Sequence, residues 1–155
     1  MCCEPVLAEH LPFRPSAHAA TRHIDLAPVA SSVSRARSFV RESVADLHDE
    51  DVEDIALLLT SELVTNAILH TGTPVHLGVT VDDARTCVSV GDRWPDSPIL
   101  SPRPSSPDRP GGRGLALVAG LAADWGTATY TGGKTVWFVV NTTGGPSLRA
   151  STRKT

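Results

Sequence analysis

Two side chains separated by one helical turn, Glu62 and Asn66, stand out because their types can do chemistry and their setting is apolar. With Ile55 at the origin of a helical wheel at about 100° per residue, Leu58, Leu59, Leu63 and Leu69 fall in one apolar arc. Glu62 and Asn66 fall in the middle of that arc. A carboxylate and an amide on a face that should be buried cost several kcal/mol unless something polar meets them. Two arrangements satisfy this requirement: the residues bond each other or a nearby backbone group, or a pocket opens over the helix and admits solvent or a ligand. A second acidic group, Asp92, ends the apolar run Val88-Ser89-Val90-Gly91. There it either forms a turn or faces a cavity. Further on, Gly111-Gly112-Arg113-Gly114 leads into an apolar segment. Glycines ahead of a helix can bare backbone N–H groups for a phosphate, or can serve only as a hinge. The pattern is neither a GxxxxGKS/T P-loop nor a GxGxxG that directly follows a strand.

The elements that must position these groups can be read from the surrounding pattern. A short alternating stretch over Ile24–Val29 predicts a strand. Ser31 or Ser32 is expected to cap a helix carrying Val33, Ala36, Phe39, Val40, Val44 and Leu47. Asp49 and Asp51 favour a helix N-terminus, and Val52 to His70 runs without Gly or Pro until Gly72 and Pro74, which predicts a long helix. His70 would favour the C-terminal end of its dipole. Val75–Val81 and Cys87–Val90, joined through Asp82-Asp83-Ala84-Arg85, read as a hairpin. Six of the twelve prolines lie between Trp94 and Pro110, so that segment is expected to be a loop. Gly114–Ala123 reads as a helix, and Thr127–Thr131 with Lys134–Val140 as a closing hairpin across Gly132-Gly133. The order β-α-α-β-β-loop-α-β-β predicts an α+β fold, a two-layer α/β sandwich whose mixed, mostly antiparallel sheet is covered by helices on one face. Trp94, Trp125 and Trp137 are expected in the core or in a pocket wall.

The 155 residues suffice for one domain with a real core. A content of 41% hydrophobic and 20% charged residues excludes a collagen-like fibre, a disulfide scaffold and wholesale disorder. Fourteen basic against seventeen acidic residues give a net charge of −3, which provides no footprint for direct nucleic-acid binding or for an anionic membrane. Cys2, Cys3 and Cys87 lack metal-ligand spacing, no apolar run reaches the roughly 18 residues needed to span a bilayer, and a cytoplasmic location is expected. Flexible segments are expected at 1–21 and 142–155, flanking a folded domain at 22–141.

Taken in order, Glu62-Leu63-Val64-Thr65-Asn66-Ala67, Asp92, Gly112-Arg113-Gly114-Leu115 and Gly133-Lys134-Thr135-Val136-Trp137 resemble the nucleotide-binding domain shared by gyrase, histidine kinases and heat-shock chaperones. Within that superfamily the chain is most similar to the bacterial anti-sigma-factor serine kinases. The resemblance spans residues 22–141 and implies a histidine-kinase-like, Bergerat-type ATP-binding fold with ATP and Mg²⁺ as cofactors. It implies that Glu62 is the catalytic base and that Asn66 is the Mg²⁺ ligand. Asp92 would accept from the adenine amino group, Gly112, Arg113, Gly114 and Leu115 would close over the phosphates, and Thr135 would lie beside the adenine. Residues from about 93 to 113 would form the ATP lid. The Asp92-Arg93-Trp94-Pro95 run departs from relatives that carry Gly two and four positions after the adenine-binding Asp, and its prolines imply a stiffer lid.

The function so implied is that of an ATP-binding regulatory protein, an anti-sigma factor with serine protein kinase activity. Its partners would be a sigma factor and an anti-sigma-factor antagonist, with a homodimer as a further arrangement. The alternative is a nucleotide-gated binding module without significant kinase activity. An ATP-hydrolysing fragment of a histidine kinase fits less well, since only about 22 residues precede the domain and include no dimerisation helix with a phospho-acceptor His.

Overall fold

A computed structural model of the chain describes residues 14–93, 112–130 and 132–142. The expected loop at 94–110, most of the expected lid and the outermost parts of both tails therefore lie outside the described residues. The element order is β1 (Ala20–Leu26), α1 (Ser31–Val44), α2 (Glu50–Thr71), β2 (Val75–Val81), β3 (Arg85–Asp92), α3 (Gly112–Leu121), β4 (Asp124–Tyr130) and β5 (Gly133–Asn141), with a 3-10 turn at Ala45–Leu47. The strands form a five-stranded sheet in the order β1-β2-β3-β5-β4. Each neighbouring pair is antiparallel, where a mixed sheet had been allowed.

Strand alternation divides the sheet into two faces. Leu26, Val75, Leu77, Val79, Val88, Val90, Val136, Phe138 and Val140 share one core with Ala36, Phe39, Val40, Val52, Ala56, Leu59, Leu63, Val64 and Val118 from the helices. This is the inner face, and the two-layer α+β architecture follows from it. The other face carries Asp25, His76, Cys87, Ser89, Gly91, Thr135 and Trp137.

α2 is held at both ends by its own sequence. The Asp49 carboxylate accepts from the Val52 N–H at 3.1 Å, and Glu50, Asp51 and Glu53 lie in the first turn, where carboxylates favour the dipole. At the other end Gly72 takes φ 61°, a left-handed geometry that glycine adopts without strain, and its N–H reaches the Ile68 carbonyl at 3.2 Å. The expected α2 arc needs correction. Leu58 is 39% exposed and Leu69 66% exposed, whereas Val52, Ala56, Thr60 and Val64 are buried. The helix thus faces the sheet along a line rotated from the leucine stripe.

Other boundaries also move. β1 starts at Ala20 and ends at Leu26, because Pro28 has no N–H for the ladder and the Val29 N–H closes a tight turn on the Ala27 carbonyl at 2.8 Å. The strand therefore begins inside the segment expected to be flexible. Neither Ser31 nor Ser32 caps α1. Ala30 occupies the cap position, and the buried Ser32 hydroxyl donates to the Ala27 carbonyl at 2.6 Å. α3 runs over Gly112–Leu121, two residues ahead of the expected start. At Ala123 the backbone N–H already bonds Val139 of β5 at 2.8 Å. β4 begins at Asp124, ahead of the expected Thr127, because Gly126 lets the Trp137 indole lie against it. A Cβ there would stand 2.5 Å from Trp137 Cζ2. At the C-terminal end Thr142 is buried and its N–H donates to the Ala84 carbonyl at 3.0 Å.

Candidate functional site

The polar residues that the core cannot explain gather at one end of the sheet, where β3 ends and β5 begins. Asp92 is the last residue of β3 and Lys134 lies directly opposite it on β5. By strand parity both belong to the helix-facing side, in series with Val90 and Val136. They are 4% and 5% exposed, respectively. Burial lowers the pKa of the Lys134 ammonium below the ordinary lysine value, while the Asp92 charge acts to raise it. An ammonium out of water loses hydration, and a neighbouring carboxylate restores part of that loss.

α2 brings a third group to this end. Asn66 is 6% exposed and lies five residues before Thr71, where the helix stops and the chain turns into β2. Glu62, one turn earlier, is half-buried, so a carboxylate and a buried amide follow one another along the same helix. The α2–β2 turn is tied to the end of β3. The Arg93 N–H donates to Thr73 Oγ1 at 3.2 Å, and Thr71 Oγ1 hydrogen-bonds Thr73 Oγ1 at 2.9 Å and donates to the Ala67 carbonyl at 2.8 Å. α2 and β3 thereby keep a fixed relation where Asn66 and Asp92 sit. Gly112, Arg113, Gly114 and Leu115 form the first turn of α3, whose Val118 is part of the shared core.

Thr135 does not join Asp92 on the inner face. It pairs with Gly91 and points to the outer side, where a Cβ on Gly91 would stand 3.1 Å from its Oγ1. Neighbouring residues of a strand face opposite ways, so the group beside Asp92 is Lys134. Sequence reasoning missed that lysine. The signal was available: if Asp92 is the last residue of β3 and the closing strand pairs with it, the first polar residue after Gly133 must meet it. On the outer side, below the same strand end, Arg93 Nε donates to His76 Nε2 at 2.9 Å and His76 Nδ1 meets the Asp25 carboxylate.

Among the described residues no group of three or more His, Cys, Asp or Glu side chains could hold a metal by itself. Mg²⁺ often uses one or two protein oxygens together with phosphate oxygens, and the buried Asn66 amide carries an oxygen of that kind. Cys87 is buried, and burial first and Asp124 second push its thiol up to about 12, so it stays protonated and unreactive. No helix among the described residues is long and apolar enough to cross a membrane.

Comparison with known proteins bears on the family and the fold. The model of the histidine kinase-like ATPase domain family matches residues 26–140. Among solved structures, that of the RsbU and RsbW domains of Rv1364c from Mycobacterium tuberculosis is similar in fold, with a TM-score of 0.61 at 19% identity. The match covers 79% of this chain and 32% of that one, so the chain corresponds to about a third of the larger protein. No curated protein matches the sequence.

Proposed function

From the premise that this chain belongs to the histidine kinase-like ATPase domain family, we propose that it is an ATP-binding regulatory protein of the anti-sigma-factor type, a serine protein kinase acting on an anti-sigma-factor antagonist. The observation that carries the reading is the convergence of buried Asn66 and buried Asp92 at one end of the α2–β3 layer, with Glu62 one turn from Asn66. A core without a ligand would place apolar side chains at these positions, since polar groups buried without need cost stability.

In this reading Asp92 accepts from the adenine amino group, and the Asn66 amide oxygen would hold the Mg²⁺. Bound there, Mg²⁺ would neutralise phosphate charge. Glu62 orients and deprotonates the attacking serine hydroxyl. The first turn of α3, from Gly112 to Leu115, presents backbone N–H groups to the phosphates at the positive end of the helix. Phosphoryl transfer depends mainly on positioning and charge neutralisation, so these parts form a sufficient set. The partners are the antagonist, a sigma factor and a second copy of the chain. The likeness in fold to a structure that includes an RsbW domain supports the regulatory setting.

The test is phosphoryl transfer from radiolabelled ATP to candidate antagonists. Glu62→Gln keeps the shape and removes the base, so ATP affinity should persist while transfer falls by about 10²–10⁴-fold. Asn66→Ala should weaken Mg²⁺-dependent binding and transfer together. If the wild-type protein binds ATP but transfers no phosphate to any antagonist, or Glu62→Gln transfers at the wild-type rate, the kinase reading fails. A nucleotide-gated binding module then takes its place.

A further inference from the structure

Lys134 is used by none of the roles above, yet it is among the most buried charged side chains described. A lysine at a strand end can ordinarily swing its long stem to water. This one is enclosed instead, directly across the ladder from Asp92 and, on its other side, from Thr129 of β4. Directly opposed residues of an antiparallel pair hold their Cβ atoms about 4.5–5.5 Å apart, within easy reach of a carboxylate–ammonium contact. Buried ion pairs contribute little net stability compared with apolar residues of similar volume. Fold stability therefore does not account for two enclosed groups of opposite charge facing each other at the end of β3 and β5, where Val90 and Val136 precede and follow them on the same face.

We propose that Lys134 is a specificity-determining residue of the nucleotide site, a second reader of the base that donates to purine N1 while Asp92 accepts from the neighbouring 6-amino group. The inference rests on the nucleotide-binding reading given above and adds to it. A carboxylate beside an ammonium offers an acceptor next to a donor. Its complement is a ligand edge carrying a donor next to an acceptor in the same order, which is what the 6-amino group and N1 of adenine present. A 6-oxopurine in the same pose presents the reverse, with a carbonyl oxygen toward Asp92 and an N–H toward Lys134. Both contacts are then repulsive, and such mismatches discriminate more strongly than lost attraction alone. Thr135 has no access to this edge because it points to the outer side of the sheet.

The experiment compares ATP with its 1-deaza analogue, in which N1 is replaced by C–H and the 6-amino group is retained, by calorimetry in the presence of Mg²⁺. The wild-type protein should bind the analogue about ten- to a hundredfold more weakly than ATP, the loss expected for a hydrogen bond to a charged donor in a desolvated site. Lys134→Met should bind ATP more weakly than wild type and treat the two nucleotides alike. Lys134→Arg, which restores a cationic donor, should recover part of the discrimination. Equal binding of ATP and the analogue by the wild-type protein overturns the proposal while leaving the nucleotide site in place, and this arm needs no variant to fold. Discrimination that persists in Lys134→Met overturns it as well. Failure of the wild-type protein to bind either nucleotide overturns the nucleotide reading itself.

Discussion

The end of β3 carries two constellations of charge, one on each face of the sheet, and they are built by opposite rules. On the inner face Asp92 and Lys134 are almost fully enclosed and Asn66 is buried at the same end of the layer. On the outer face the Asp25 side chain is 73% exposed and His76 29% exposed, with Arg93 completing the series. Because Arg93 Nε–H donates to His76 Nε2, that nitrogen acts as an acceptor and the ring proton sits on Nδ1, toward Asp25. This imidazole links two charged groups that water already solvates. Exposed pairs of this kind are worth about 0–1 kcal/mol, whereas taking charges out of water costs several kcal/mol per ion before their attraction repays it. The comparison shows where to look for function: an ionic group that water would have tolerated says little, and one that the fold has enclosed requires a reason.

The largest effect should come from breaking the inner constellation on one side only. Asp92→Leu leaves the Lys134 ammonium buried without its carboxylate and should destabilise the protein by about 3–5 kcal/mol, the usual cost of an uncompensated buried charge. Urea unfolding reads this directly. Adding Lys134→Met to Asp92→Leu removes the orphaned charge and should recover most of the loss, although the double variant no longer reads a nucleotide base. If the double variant proved as unstable as Asp92→Leu alone, the two side chains would be energetically independent and the contrast between the faces would collapse.

Much of this arrangement is legible in the chain itself, and the parts that are not share a cause. The buried polar position on α2 could be read because helical periodicity is local: Asn66 stands among Leu59, Leu63 and Val64 in one continuous segment. The strand that ends at Asp92 and the hairpin that precedes it follow from alternation and turn residues in the same way. The orientation of α2 about its axis could not be read, because Leu58 and Leu69 continue the leucine pattern yet lie exposed, and only the packing of α1, α3 and the sheet decides which stripe faces inward. The start of β1 was hidden for a similar reason. Ala20 to His23 carry no apolar period, and they are strand because β2 supplies a partner ladder, with Thr21 and Thr80 hydroxyls 3.0 Å apart across it. The Asp92–Lys134 opposition depends on register between strands that residues 93–132 separate in sequence. Thr135, expected beside the adenine, pairs with Gly91 on the outer face, and in a strand a step of one residue exchanges the faces.

A smaller perturbation tests whether the outer face is built by packing even where it carries no charge. At Gly126 a Cβ would stand 2.5 Å from Cζ2 and 2.9 Å from Cε2 of Trp137, so Gly126→Ala must move the indole. The ring is half-buried and can tilt toward the outer side, which limits the cost to about 1–3 kcal/mol, the range for overpacking a contact. Near-ultraviolet circular dichroism should change together with the urea midpoint, since the tryptophan environment and the strain share one cause. A variant with wild-type stability and an unchanged aromatic spectrum would show that the glycine is incidental to the β4–β5 pairing.

The smallest effect should come from the outer charges themselves, and its smallness carries information. Asp25→Asn retains a hydrogen-bond acceptor for His76 Nδ1–H and removes one charge that is already largely solvated. The Arg93 backbone remains anchored by Thr73, and Arg93 Nε keeps its bond to His76. Stability should therefore fall by less than about 1 kcal/mol, and added salt should shrink the difference further because exposed pairs are screened. ATP affinity should stay within about twofold of wild type, because the sheet separates Asp25 from the inner-face groups proposed to read the base. A loss of several kcal/mol, or a tenfold loss of ATP affinity with the fold intact, would mean that the Asp25–His76–Arg93 series acts through the backbone of β3 on Asp92. The two constellations would then be one device rather than two, and the distinction drawn from burial would have to give way to coupling through the strand end.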